Sequence, residues 1–227
     1  MQAAEFFERF GGSARTKNIR RAEGSAIPGA GWRWERPSVQ VPSTSGLPPE
    51  FIRLCPWEME FLYVVARRAR TGILEVGRFN GGSTFLLACA APNVSIHSID
   101  ITPQDDELLR RQFEAHQVGS NVSLITGDSQ HARYDTVGPV DLLFIDGDHS
   151  YDGCMADIRN WYGNVVPNGL LVFHDSYLHP EYGVQDAILD FLAERGEELE
   201  VVVSPLIGTA PWRFPHGSMA CLRKTLR

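Results

Sequence analysis

Residues 142–153 read LLFIDGDHSYDG: four apolar residues run into Asp146, Asp148 and His149, with Tyr151 and Asp152 close behind. A second apolar run, GLLVFHD at 169–175, ends in His174 and Asp175. Carboxylates gathered at the ends of two buried strands need a cation, and hard oxygen donors with no accompanying cysteine suit magnesium or manganese better than zinc. The candidate metal ligands are therefore Asp146, His174 and Asp175. His149 lies three residues beyond Asp146. An imidazole with an unperturbed pKa of ~6.5 can accept a proton near neutral pH, so His149 is the candidate general base. Asp148 and Asp152 read as cap or first-turn acids of the next helix.

A second constellation precedes these. LEVGRFNGGST, residues 74–84, places Glu75, Gly77, Asn80, Gly81 and Ser83 around a turn into a helix. Glycines there permit close backbone approach to a ligand, and a helix N-terminus offers unpaired N–H groups. The next apolar run ends in Asp100, 23 residues beyond Gly77 (100 − 77), suited to a pair of ribose hydroxyls. The third ends in Asp128 and Ser129, suited to an adenine edge. With Asp146, these residues form the candidate cofactor-binding set. The turn departs from the dinucleotide GxGxxG fingerprint at the second glycine, which argues against a pyrophosphate ligand.

The elements that must position these groups alternate. Strand-like runs fall at 72–77, 94–100, 122–128, 140–146, 169–175, 199–203 and 218–224, with helical stretches at 82–91, 104–117, 151–163 and 184–195. Repeated strand, helix, strand predicts an α/β fold, a doubly wound and mostly parallel seven-stranded sheet, with the last two strands forming an antiparallel hairpin. Ligands of such sheets sit at the carboxyl ends of the strands. A further helical pattern is expected from PPEFIRLCPWEMEFLYVVARRA, residue 48 onward, with Arg67, Arg68 and Arg70 at its end. Residues 18–50, rich in Pro, Gly and Ser and carrying Trp32 and Trp34, predict an arm or lid over 1–50 ahead of a domain at 51–227. Trp212 and Phe214, in a late proline-containing loop, are candidates for an acceptor wall.

With 227 residues, 43% of them apolar, the chain can bury one α/β core. A net charge of −7 disfavours a phosphate-gripping surface. The scattered cysteines at 55, 89, 154 and 221 lack a CxxC pair and predict reduced thiols in a cytoplasmic protein. No stretch approaches the ~20 apolar residues of a membrane helix. The expected partners are a small-molecule or oligosaccharide acceptor and a second copy of the chain in a homo-oligomer, without nucleic acid or membrane.

The ExGxxxGGS/T turn, the Asp ending the second strand and the GDS ending the third resemble class I S-adenosylmethionine-dependent methyltransferases over roughly residues 70–180. Within that superfamily, FIDGDHSYDGCMADIRNW and NGLLVFHDSY resemble the macrocin-type sugar O-methyltransferases and cephalosporin hydroxylase-like proteins. Catechol and caffeoyl-CoA O-methyltransferases are more distantly similar. The resemblance implies a Rossmann-like fold, S-adenosyl-L-methionine as methyl donor and Mg2+ or Mn2+ beside it, with a sugar or glycosylated hydroxyl as acceptor. The sugar enzymes end the fifth strand in two adjacent acids where this chain has His174 and Asp175. The catechol type has Asp-Asn, matching Asp175 and Ser176, so the third ligand is open between His174 and Ser176. A catechol-like methyltransferase, a non-methylating binding module and a hydroxylase-like protein are the alternative functions.

Overall fold

The computed structural model describes residues 46–131, 134–206 and 217–225, together with the two-residue strands Arg20–Arg21, Ala26–Ile27 and Trp32–Arg33. Seven strands form the main sheet: β1 (Gly72–Val76), β2 (Ser95–Asp100), β3 (Val122–Thr126), β4 (Val140–Ile145), β5 (Val165–Phe173), β6 (Leu199–Val203) and β7 (Ala220–Lys224). Their order is β3-β2-β1-β4-β5-β7-β6, and Arg20–Arg21 pairs in parallel with β6 at the edge. All neighbours from β3 to β5 are parallel, while β7 runs antiparallel to both β5 and β6. The expected sheet and C-terminal hairpin are present. Strand order reverses between β1 and β4, the position at which such sheets open a ligand crevice.

Continuous apolar runs make these strands because both sheet faces are covered. Alternate residues serve opposite layers: Leu142 and Phe144 of β4 join the core with α1 (Pro56–Ala66) and α2 (Gly82–Ala90). Leu143 and Ile145 join the core with α4 (Tyr151–Trp161) and α5 (Val184–Arg195). Between α2 and α4 lies α3 (Asp106–His116), begun by the Asp105 carboxylate, which accepts from the Leu108 N–H at 2.7 Å. β5 starts at Val165, four residues before the apolar run suggests, because Val165 already pairs with Val140 ahead of a register shift.

Helix α1 ends at Ala66, so Arg67, Arg68 and Arg70 fall beyond its last turn rather than within it. It starts at Pro56, later than the pattern from residue 48 suggests, because Pro56 takes the first position and the Glu58 carboxylate accepts from the Cys55 N–H at 2.8 Å. The four cysteines are free thiols. No helix among the described residues is long and apolar enough to cross a membrane. Residues 1–19 and most of 22–45, including the expected arm, and residues 207–216, including Trp212 and Phe214, lie outside the described residues.

Candidate active site

The glycine turn after β1 is shaped by close backbone approach. Gly77 has φ +83°, its N–H donates to the Ile99 carbonyl at 2.8 Å, and a Cβ there would stand 2.1 Å from the Asp146 carbonyl oxygen. Only glycine lets the β1 and β4 ends meet so closely. Glu75 is fully buried under the turn, where its carboxylate accepts from Thr84 Oγ1 at 2.5 Å and Ser98 Oγ at 2.6 Å. Burial raises its pKa to about 7 despite bonds from Ser83, Ser98 and Thr84.

Asp100, at the end of β2, organises the turn. Its Oδ2 accepts from the Arg78 and Phe79 N–H groups at 2.8 and 2.9 Å, and its Oδ1 accepts from Thr102 N–H at 2.7 Å. Arg78, a turn residue that looks solvent-exposed in sequence, is only 2% exposed. Its guanidinium grips Asp106 through two bonds of 2.7 and 2.8 Å and donates to the Ser98 and Ile125 carbonyls at 2.9 Å. Turn, β2, β3 and α3 are thereby locked together.

Beyond β3, Asp128 accepts from Gln130 N–H at 2.8 Å and lies 2.9 Å from His131 Nδ1, whose hydrogen bond leads the lowering of its pKa. Ser129 Oγ donates to Asp157 at 2.7 Å, and the Ser129 carbonyl accepts from Trp161 Nε1 at 2.9 Å. Asp157 is buried in α4 with its second carboxylate oxygen unpartnered. Burial outweighs the serine bond and raises its pKa to about 6. That value lies above the unfolded carboxylate range of ~3.9, so the folded state binds the extra proton, and this contribution to stability is lost as pH rises from about 4 to about 6. Asp157→Asn should remove that dependence, gaining on the parent by on the order of 2–3 kcal/mol between pH 4 and 7 in denaturant unfolding. Equal slopes in the two proteins would show that Asp157 ionises freely.

The ends of β4 and β5 bring Asp146, His149, His174 and Asp175 together. His174 is 9% exposed and wedged among acids: Nδ1 lies 3.0 Å from Asp146 Oδ1 and 3.3 Å from Asp175 Oδ2, and Nε2 lies 3.3 Å from Glu58 Oε2. Burial disfavours its charge, but the three carboxylates prevail and hold its pKa well above the ordinary range. Burial likewise opposes ionisation of Glu58, yet His174 and the Ser218 and Cys55 N–H groups lower it to about 2. Both nitrogens of His174 therefore already face carboxylates. Ser176 is turned away, fully buried, with its N–H on the Ser218 carbonyl at 3.0 Å.

The imidazole whose donor atom converges with both the Asp146 and Asp175 carboxylates is that of His149. Its buried Nε2 has no hydrogen-bond partner and stands 3.6 Å from both Asp146 Oδ1 and Asp175 Oδ2. Donors bound at ~2.1 Å to an octahedral cation stand ~3 to ~4.2 Å apart, so this trio fits a divalent ion. Asp146, His149 and Asp175 are the group whose donor atoms converge within 4.8 Å of one another. Asp146 is held ionised, burial being outweighed by His174 and His149. Asp175 occupies the left-handed region at φ +49°, a strained backbone found at a converging site.

A cleft of roughly 1090 Å³ runs along these strand ends. Gly77, Asp100, Asp128, Ser129, Asp146, His149, His174 and Asp175 line it, as does Asp148, while Glu75, Asn80, Gly81 and Ser83 support the turn from outside the lining. Asp148 accepts from the Ser150 N–H at 2.8 Å, and Ser150 caps α4, so the acid shapes the turn as well as facing the cleft. Tyr177, an aromatic expected from sequence at this end of the sheet, lines the cleft as well; unforeseen from sequence are Glu58, Arg53, Phe79, Ile101 and Tyr182. Phe79 and Ile101 are 44% and 68% exposed, an unusual solvent exposure for apolar side chains flanking an acid.

The strand order, parallel from β3 to β5 with an antiparallel β7 inserted beside β6, is that of a Rossmann-like fold. Residues 74–176 match the family model described as a methyltransferase domain. Over 110 residues it is 33% identical to an uncharacterised protein of Acanthamoeba polyphaga mimivirus, covering 45% of this chain and 50% of that protein. The chain thus spans about half the length of this curated relative. The S-adenosylhomocysteine-bound methyltransferase PaMTH1 of Podospora anserina shares the fold at TM-score 0.56 and 20% identity, over 74% of this chain and 77% of that one. The O-methyltransferase TomG of Streptomyces achromogenes, in complex with S-adenosylmethionine, shares it at TM-score 0.57 and 20% identity, over 78% and 83%.

Proposed function

We propose that the protein is an S-adenosylmethionine-dependent, divalent-cation-assisted O-methyltransferase acting on a hydroxyl of a sugar or glycosylated acceptor. The observation that carries this reading is the Asp146, His149 and Asp175 trio opening into the same cleft as Gly77, Asp100 and Asp128. The donor supplies an electrophilic methyl on a sulfonium. A divalent cation held by Asp146, His149 and Asp175 would polarise the acceptor hydroxyl and lower its pKa.

The chain's own residues do the rest. Asp100 takes ribose hydroxyls with the lone pairs left by its backbone bonds. Asp128 and Ser129 face the adenine edge, and Phe79 and Ile101 cover apolar faces of the nucleoside. His174 holds the Asp146 and Asp175 carboxylates at fixed separation. If His149 serves as a cation ligand through Nε2, that nitrogen would not be free to act as the base, and Asp148, on the same turn and lining the cleft, would take the proton.

The acceptor side supports a sugar. Tyr182 packs against His149 and His179 with ring centroids 4.8 and 4.1 Å apart, and Tyr177 meets Tyr182 edge-on at 6.0 Å. Among the described residues, Glu58, Asp148 and Ser218 also line this end of the cleft. One aromatic wall with polar surroundings suits a ring that has a CH face and a hydroxyl rim. A labelled-methyl transfer screen with magnesium should show turnover of glycosides and little with simple catechols; the reverse preference would overturn the acceptor assignment. Asp100→Ala should weaken S-adenosylhomocysteine binding by roughly tenfold or more in calorimetry, the worth of charge-assisted hydrogen bonds. Unchanged affinity would place the ribose elsewhere.

A further inference from the structure

We infer that Arg53 binds the carboxylate at the amino-acid end of the methyl donor. The inference rests on the donor reading above and adds a residue that no strand-end motif contains.

The segment carrying Arg53 is pressed onto the glycine turn. A Cβ on Gly82 would stand 2.2 Å from the Phe51 carbonyl oxygen and 2.5 Å from Ile52 Cα, so this backbone lies directly against the first residue of α2. Asn80 Nδ2 donates to the Glu50 carbonyl at 3.4 Å, and the Phe51 and Phe85 rings meet edge-on at 5.9 Å. Arg53 itself is exposed and lines the cleft, with Cζ 5.4 Å from the centroid of Phe79. The Phe79 N–H is in turn bonded to Asp100. The guanidinium is thereby stationed beside the turn, one residue's contact from the carboxylate assigned to the ribose.

Charge decides what it is for. Glu58, Asp100, Asp128, Asp146, Asp148 and Asp175 line the cleft, and Arg53 is the sole lysine or arginine that does so among the described residues. Such a lining welcomes the donor's ammonium and sulfonium and repels its carboxylate. His174 is already engaged by three acids. A guanidinium presents a planar fork that matches a carboxylate with two parallel N–H bonds. The N-terminus of α2 contributes a positive dipole end at the same turn.

The test is calorimetric titration of the full chain with two probes, S-adenosylhomocysteine and its decarboxylated analogue S-adenosyl-3-thiopropylamine, which keeps the nucleoside and the amine. Arg53→Met retains an apolar stem over Phe79 and should weaken S-adenosylhomocysteine by about tenfold or more, with less than about a twofold change for the analogue. Arg53→Lys should fall between. Equal losses on both probes would mean that Arg53 acts only by packing on Phe79, and no loss on either would remove it from the donor site; both overturn the inference. If the parent protein itself binds neither probe, the donor reading fails first and takes the inference with it.

Discussion

Asp175→Ala should lose divalent-cation binding and reduce methyl transfer to background, while leaving S-adenosylhomocysteine affinity within about twofold, since in the proposed mechanism Asp175 would meet the cation and not the nucleoside. The carboxylate would supply one of three protein donors, with Asp146 and His149 3.6 Å from one another and His149 3.6 Å from Asp175. Loss of a direct ligand should exceed the roughly 10- to 100-fold usual for an outer-shell partner. His149→Ala should behave in the same way. Manganese titration followed by electron paramagnetic resonance reads both effects. If His149→Ala keeps full cation affinity and loses only turnover, His149 is the base that its spacing suggests and the ion is held without it.

Gly77→Ala should be among the most damaging single substitutions in the chain. The new Cβ would stand 2.1 Å from the Asp146 carbonyl oxygen, 2.6 Å from its carbon and 2.8 Å from Gly147 Cα, all backbone atoms that cannot rotate away. The residue would also have to hold φ +83°. Left-handed strain of about 1–2 kcal/mol and overpacking of about 1–3 kcal/mol together predict a loss of about 2–5 kcal/mol, or roughly 5–15 °C in melting temperature for a chain of this size. Because the displaced atoms belong to the turn and to the Asp146 end of β4, donor and cation affinity should fall together. A variant that melts and binds like the parent would show that the two strand ends do not depend on this approach.

Much of the site follows from one-dimensional pattern because buried parallel strands leave an unmistakable mark. LLFI and LLVF are apolar on both faces, so the first charged residues after them, Asp146 and His174–Asp175, must lie at the strand ends, and a doubly wound sheet collects those ends on one edge. Choosing between imidazoles is a different matter. His149 and His174 stand equally near the acids in sequence, and the decision comes from Glu58, on a helix more than a hundred residues away, whose carboxylate sits against His174 Nε2. In sequence, Glu58 reads only as a residue near a helix start. Arg78 shows the same limit: an arginine between glycines looks like a solvated turn, and its burial depends on Asp106 and two carbonyls supplied by β2 and β3. Glu75, Asn80, Gly81 and Ser83 belong to the recognisable turn, yet they build it from beneath and behind, a distinction that depends on side-chain direction rather than spacing.

The most direct measurement of the central claim is the thermal melt of the purified chain with added S-adenosylhomocysteine, against NAD as the competing strand-end nucleotide. A ligand bound only by the folded state stabilises it by RT ln(1 + [L]/Kd), about 2.7 kcal/mol at a hundredfold excess over Kd, and the melting temperature should rise by roughly 5–10 °C. NAD should leave it unchanged, because the turn lacks the second glycine that a pyrophosphate requires. A melt unmoved by millimolar S-adenosylhomocysteine and raised by NAD would contradict the account.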